Sequence, residues 1–374
     1  MKNLKKRISG FLCDPVLLAA FVAAVISAQF VPPSKQYLGY LDLHVLSLLL
    51  SMMLVVAGLQ KVGVFAVIIE HLLKFVHNTR MLALVLVGVC FFCSMLITND
   101  VALITFVPLA IISLTQTEKQ KRLIPVIILQ TVAANLGSML TPLGNPQNLY
   151  LYSISNMSIW KFLKTMAMPT AISLLMLLAA IFFIKPEHIQ HIAQPQTEPI
   201  KKEKLVPRSV LFMVCLLAVL RVIPYGIALL TVIASVIILD KKILVCVDYG
   251  LLLTFIFLFV FIGNIKNISV VSETLSALVG GRELTVGILL SQVISNVPAA
   301  MLLSKFTEDY STLLVGVNLG GLGTLIASMA SVISYKLYAC VSGAQTGKYL
   351  AVFTAINLVF LIGLWTIAKC FSVA

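Results

Sequence analysis

The sequence predicts an all-α polytopic membrane protein of two inverted repeats, with about nine to eleven transmembrane helices, two re-entrant hairpins and two broken helices. Three observations carry this. The first is composition: of 374 residues, 60% are hydrophobic and 11% charged, against roughly 25% charged in a soluble domain. The second is the stretch 135–148, NLGSMLTPLGNPQN. It lies inside an apolar segment, yet Gly and Pro interrupt it. Backbone freed in this way must be buried in protein or line a wet cavity. The third is a weaker copy at 318–331, NLGGLGTLIASMAS. In it Asn318, Leu319, Gly320 and Thr324 match Asn135, Leu136, Gly137 and Thr141. Broken helices at corresponding places in two halves point to a secondary transporter.

The elements follow in order. The N-terminus MKNLKKRISG precedes an apolar run longer than the roughly 7–15 residues of a signal-peptide core, so it reads as an uncleaved first membrane helix. Apolar spans fall at 11–32, 43–59, 122–155, 160–184, 208–222, 225–240, 247–264, 311–335 and 347–370. Most reach the roughly 20 residues that a crossing needs. Regions 82–115 and 283–306 are interrupted near their middles by Thr98-Asn99-Asp100 and Ser295-Asn296-Val297-Pro298, and read as hairpins whose tips stop inside the membrane. Segments 62–78 and 266–282 carry Glu70, His71 and Lys74, and Lys266, Glu273 and Arg282, which suits interfacial amphipathic helices. The helix before each is also alike, Asp42 to Gly58 resembling Asp248 to Gly263. The halves are then 1–184 and 208–374, joined by a polar linker at 185–207.

The net charge is +13. With the N-terminus cytoplasmic and neither hairpin crossing, most of the 27 basic residues fall on the cytoplasmic side, as the positive-inside rule asks. The hairpins then enter from opposite faces, which makes the halves inverted, and the expected location is the cytoplasmic (inner) membrane. The basic residues belong to loops facing lipid headgroups, so lipid is the expected partner and nucleic acid is not. Cys90 and Cys93 form a C-x-x-C pair with no second pair and no nearby His, which argues against a metal or redox role. His44, His71, His77, His188 and His191 fall outside every motif. No Ser-His-Asp order, metal-ligand cluster or phosphate-binding Gly loop is present, so neither an enzyme, a cofactor nor an ATP-driven pump is expected.

The candidate site residues gather at the tips and breaks. Asn99 and Asn296 offer amides at the hairpin tips, as ligand contacts or as helix caps. Asp100 is the only acid in these motifs. A charge there costs about 2.5–3.5 kcal/mol on insertion scales, so it is a functional candidate for proton or sodium coupling, the alternative being a cap. Asn135, Thr141, Gly144, Asn145, Gln147 and Asn148 supply hydroxyl, amides and free backbone at the first break. Asn318, Gly320, Gly321, Thr324 and Ser328 are the equivalents in the second, where Gly320-Gly321 could instead serve close helix packing. No Lys or Arg lies in the four motifs. Negative charge on a substrate would be met by helix N-termini and backbone N–H groups.

Together ITND at 97–100, TPLGNPQN at 141–148, SNVP at 295–298 and NLGGLGT at 318–324 resemble the ion transporter superfamily, in its branch of arsenite permeases and citrate-transporter-like proteins. The resemblance implies a homodimer in which each protomer has a scaffold part and a mobile part, the latter made of hairpins and broken helices and moving like an elevator. In sodium-coupled relatives, Ser-Asn-Thr tips help hold cations and the substrate carboxylate. The corresponding positions are Thr98, Asn99, Asp100, Ser295 and Asn296, with sodium expected near Asn99, Asp100 and Asn145. Two departures stand out: Asp100 replaces a Thr, and Met329-Ala330-Ser331 replaces a Pro-Gln-Asn run. The resulting expectation is secondary active transport of a small anion, an oxyanion or carboxylate, coupled to protons or sodium. A sodium–proton antiporter is the alternative, and a non-transporting membrane sensor a remote one.

Overall fold

The computed structural model describes residues 15–117, 119–189 and 200–372. The basic N-terminal residues, the start of the first expected span and the middle of the linker, with His191, lie outside them. Among the described residues the chain is helical and has no strand. The first half runs α1 (Pro15–Phe30), α2 (Gln36–Tyr40), α3 (Leu43–Val62), α4 (Val64–Leu73), α5 (Thr79–Cys93), α6 (Asn99–Gln116), α7 (Leu123–Ser138), α8 (Pro146–Ile154) and α9 (Ile159–Phe182). The second runs α10 (Lys202–Val219), α11 (Tyr225–Asp240), α12 (Ile243–Cys246), α13 (Tyr249–Lys266), α14 (Ser269–Val279), α15 (Glu283–Ile294), α16 (Asn296–Leu303), α17 (Tyr310–Leu319), α18 (Met329–Ala339) and α19 (Thr346–Ser372).

Five of these helices, α3, α6, α9, α13 and α19, are long and apolar enough to cross a membrane alone. The pair α14 and α15, bent by 119° between them, would make a sixth path. The remaining apolar chain falls in shorter or more polar helices, because it is interrupted where the sequence places tips and breaks. The expected hairpins become α5–α6 and α15–α16, and the expected broken helices become α7–α8 and α17–α18. The amphipathic stretches become α4 and α14. Gly63, in the left-handed region at φ +87°, ends α3 and starts α4, a role Gly fills without steric cost. One boundary moves: α10 starts at Lys202 and holds Pro207 inside, so a charged helical end replaces part of the expected linker.

The beginning of that linker is fastened. Thr79 Oγ1 donates to Lys185 O (2.6 Å) and Arg80 Nε to Ile184 O (2.9 Å). Glu187 pairs with Lys119 at 3.1 Å and with Arg122. The Arg122 hydrogen bond, then that of Lys119, holds the Glu187 carboxyl below its ordinary range. Large apolar side chains such as Trp160, Phe183 and Ile238 are exposed, as a lipid-facing surface requires.

Packing inside the two halves follows one pattern. Helix α5 lies on α7 and α15 lies on α17. In each pair a glycine permits the approach: a Cβ at Gly137 would overlap the Phe91 carbonyl, and one at Gly320 would stand 2.6 Å from Ser291 Oγ. Gly137 and Gly320 are matched positions of the two breaks.

Candidate functional site

The site is built where four half-helices begin. Residue Asn99 opens α6, Asn296 opens α16, Asn145 caps α8 and Ser328 precedes α18. Asn145 is a working cap, since its Oδ1 accepts from Asn148 N at 2.9 Å. Pro146 at the first helical position follows for the usual reason, its missing N–H being an orphan there in any case. Helix N-termini carry partial positive charge and unpaired N–H groups. Four of them at one place favour an anion.

Buried amides tie these ends together. Asn135 Oδ1 accepts from Asn99 Nδ2 (3.0 Å) and from Ser328 Oγ (2.9 Å), while its Nδ2 lies 3.5 Å from Gly321 O. Asn318 Oδ1 accepts from Asn145 Nδ2 (3.0 Å), and Asn318 Nδ2 donates to Asn148 Oδ1 (2.6 Å) and Leu314 O (2.7 Å). Two of the contacts between halves correspond. The amide at 135 reaches position 328, and its match at 318 reaches position 145, the match of 328. Asn135, Asn145, Asn148, Asn318 and Ser328 are all buried.

Each tip closes on its break. In the first half Asn99 N donates to Gly144 O at 3.0 Å, and Thr141 Oγ1 donates to Met95 O. Gly144 has no room for a side chain, because a Cβ would overlap the Ser138 carbonyl. Asn148 Nδ2 fills the turn, within 3.3 Å of Ser138 O, 3.1 Å of Met139 O and 3.0 Å of Thr141 O. In the second half Asn296 Nδ2 would meet a Cβ at Gly321 at 3.0 Å. Ser295 Oγ lies 3.4 Å from Ala327 O. At both tips the Asn Oδ1 accepts from the next N–H, Asp100 N at 3.0 Å and Val297 N at 2.9 Å.

The tips differ in strain. Thr98 is extended and half-buried, with no side-chain cap bond. Ser295 sits at φ 75°, ψ 154°, a region nearly confined to glycine and costing a side chain about 1–3 kcal/mol. Asp100 lies half-buried in the first turn of α6, where a carboxylate complements the helix end.

Of the residues predicted from sequence, Asn99, Asn135, Gly144, Asn145, Asn148, Asn318, Gly321 and Ser328 meet in one network. Ser295, Asn296 and Gly320 border it. Thr141 and Thr324 stand at its edges, and Thr324 is exposed. Gln147 is buried inside α8. Sequence reasoning missed Gln292. Its Nε2 donates to Gly320 O and Leu322 O, both at 2.9 Å, and its Oε1 accepts from Thr324 N at 2.8 Å. It does for the second break what Asn148 does for the first, where the matched Ser331 is too short. The available signal was a lone amide in the apolar arm ILLSQVI. Also missed was Ser138, which Asn145 Nδ2 reaches at 3.2 Å.

Comparison with known proteins agrees with this architecture. The family model for citrate transporters matches residues 12–318, from the first helix to the asparagine that bonds Asn145. An uncharacterized transporter of Methanocaldococcus jannaschii is 36% identical over 305 residues, covering 80% of this chain and 83% of the relative. Inner membrane protein YbiR of Escherichia coli is 33% identical over 323 residues, covering 82% and 83%. A 46 kDa membrane protein of Mycobacterium leprae is 24% identical over 340 residues, 79% of each chain. Long apolar helices, two breaks held by matched asparagines and these similarities lead to one conclusion: the chain is a membrane transporter belonging to the citrate transporter family.

Proposed function

We propose that the protein is a secondary active transporter for a small anion, a carboxylate of citrate type or an oxyanion, in the cytoplasmic membrane with its N-terminus inside. The observation that carries this is the meeting of four half-helix N-termini around the pairs Asn135–Ser328 and Asn145–Asn318. Such a site binds negative charge through N–H groups and amides, with no cationic side chain in either break. The substrate enters by replacing amide–amide bonds with amide–oxyanion bonds, which are charge-assisted and stronger.

Coupling to a proton or sodium ion runs through Asp100, in the first turn of the half-helix that Asn99 begins. A cation there lowers the cost of the buried carboxylate and fixes Asn99 for the substrate, so the two binding events favour one another. Two inverted repeats, α3–α9 and α13–α19, each contribute one hairpin and one broken helix to a mobile body. That body moves against the remaining helices, which form the contact of a homodimer.

The test is reconstitution into liposomes. Uptake of labelled citrate, and separately of arsenite and sulfate, is measured under imposed sodium and proton gradients. The expected result is concentrative uptake of at least one anion, abolished by Asn145→Ala with normal membrane insertion. Sodium–proton exchange with no anion uptake would establish the antiporter reading instead.

A further inference from the structure

One cavity lies away from the breaks. It has a volume of about 290 Å³, and its lining includes Tyr40, Tyr150, Gly263, Lys266, Asn267 and Lys305. It is set between α13, which ends in Lys266, and the pair α8 and α16, which pack on each other. Tyr150 lies on α8, five residues after the cap Asn145. At 1.5 Å per residue, that places it roughly 7.5 Å along the helix from the break.

The walls are built. Tyr40 packs over Gly263, where any Cβ would overlap its ring. The Asn267 Nδ2 donates to Tyr40 OH (2.9 Å) and Gly263 O (3.1 Å). On the opposite wall the Tyr150 hydroxyl and Ser304 Oγ share a hydrogen bond of 3.0 Å. Lys266 and Lys305 make no ion pair among the described residues, and no carboxylate lines this cavity. An adjoining cavity of about 670 Å³ shares both lysines. Of its acids, Glu283 accepts from Gly281 N and Thr307 Oγ1, and Asp309 caps α17 by accepting from Thr312 N. Glu308 is exposed.

Lys305 lines both cavities, where neighbouring atoms displace part of its water. That desolvation, with the Lys266 charge, holds its ammonium below the ordinary lysine range, and Asp42 pulls the other way. Asp42 itself is committed as the cap of α3, accepting from Val45 N at 3.0 Å. Two like charges thus share one space whose wall holds tyrosine, asparagine and apolar side chains and no carboxylate. A ligand of negative charge relieves that repulsion.

We propose that Lys266 and Lys305 form a waiting station for the anionic substrate, on the way to the break along α8. Its ligand class is a carboxylate or a phosphate- or sulfate-type oxyanion. The inference rests on the anion-transport reading for its purpose, and on the cavity for its existence. The two lysines lie on separate elements, α13 and the loop after α16, so an anion held by both also holds those elements together.

The experiment uses the whole protein in nanodiscs of zwitterionic lipid alone, at about 10 mM ionic strength, where charge reaches roughly 30 Å. Citrate and inorganic sulfate are the probes, titrated by calorimetry. Variants are Asn145→Ala, Lys266→Gln, Lys305→Gln and the double lysine variant. Asn145→Ala is expected to retain a weak site that vanishes near 150 mM salt, and Asn145→Ala combined with both lysine substitutions to lose it. In liposomes the double lysine variant raises KM about tenfold at low salt, within the range that focusing by charge supplies, and the difference disappears at high salt. Equal binding and equal KM in wild type and double variant overturn the station. So does a lysine effect found only when phosphatidylglycerol is added, which assigns the cavity to a lipid headgroup. If neither wild type nor any variant transports an anion but the probes still bind through the lysines, the transport reading fails, and with it the station's purpose, while the anion site itself stands.

Discussion

Removing the Gln292 side chain isolates the second break from its hairpin. In Gln292→Ala the carbonyls of Gly320 and Leu322 and the N–H of Thr324 lose their partner. Side-chain hydrogen bonds between membrane helices average about 0.6 kcal/mol in measured cases, so three of them sum to about 2 kcal/mol. Gly320 and Leu322 are buried, so their carbonyls stay without a partner. About 2 kcal/mol corresponds to roughly a thirtyfold change in an equilibrium. The expected outcome is a transport rate lowered by about that factor and a lower midpoint of thermal unfolding. Unfolding is followed with a thiol-reactive dye after the exposed Cys246, Cys340 and Cys370 are replaced by serine, because Cys90 and Cys215 are buried. Gln292→Glu is worse than Ala, since the oxygen that replaces Nε2 would face two carbonyl oxygens. Restoring an amide at the matched position by Ser331→Asn should recover part of the loss. A Gln292→Ala protein with wild-type KM, rate and unfolding midpoint refutes the reasoning.

Four further outcomes are expected. Asp100→Asn keeps the shape of the first turn of α6 but removes its charge. Exchange of anion should survive while dependence on the sodium or proton gradient is lost, and unchanged concentrative uptake by this variant would reduce Asp100 to a cap. Ser295→Gly relieves the φ 75° strain and should raise stability by about 1 kcal/mol, read as a higher unfolding midpoint in urea. Gly144→Ala drives a Cβ into the Ser138 carbonyl and should fail to fold, whereas Gly347→Ala, with open space around it, should behave as wild type. The Glu187 carboxyl is held low by Arg122 and Lys119, so its contribution is present above the ordinary carboxylate pKa of about 4.3 and is lost as pH falls through the lower folded value. Hydrogen-exchange protection at Thr79 and Ile189, whose amides bond across this junction, should fall relative to the intrinsic rate in that acid window, and Glu187→Gln should abolish the change.

The first break was legible because its chemistry is local. Two prolines, two glycines and three asparagines within one apolar segment have few readings other than interrupted helix. The second break was legible only through the first, by the match of Asn318 to Asn135. What joins them was not. Asn145 and Asn318 are 173 positions apart, and no periodicity reports a bond at that separation. Gln292 escaped because a single amide on an apolar helix breaks no pattern, and its importance comes from the turn it faces. The strain at Ser295 is invisible in sequence, since only a glycine would have advertised a positive φ. The start of α10 was set too late, because Lys202, Glu203 and Lys204 end an apolar run without ending a helix, which can extend into water.

The two breaks contain no Lys, Arg, Asp or Glu, and this bears on how the carrier resets. After unloading, a carrier must bring its vacant binding machinery back. A lysine or arginine there would carry an uncompensated charge through the hydrocarbon, at about 2.5–3.5 kcal/mol on insertion scales. Neutral amides that bond one another, as Asn145 with Asn318 does at 3.0 Å, have partners when the anion is gone. On the proposed reading, the breaks themselves then add no charged side chain to the return of the empty carrier. If the proposed reading holds, slowing that re-pairing would slow the empty return before it weakened the grip on substrate.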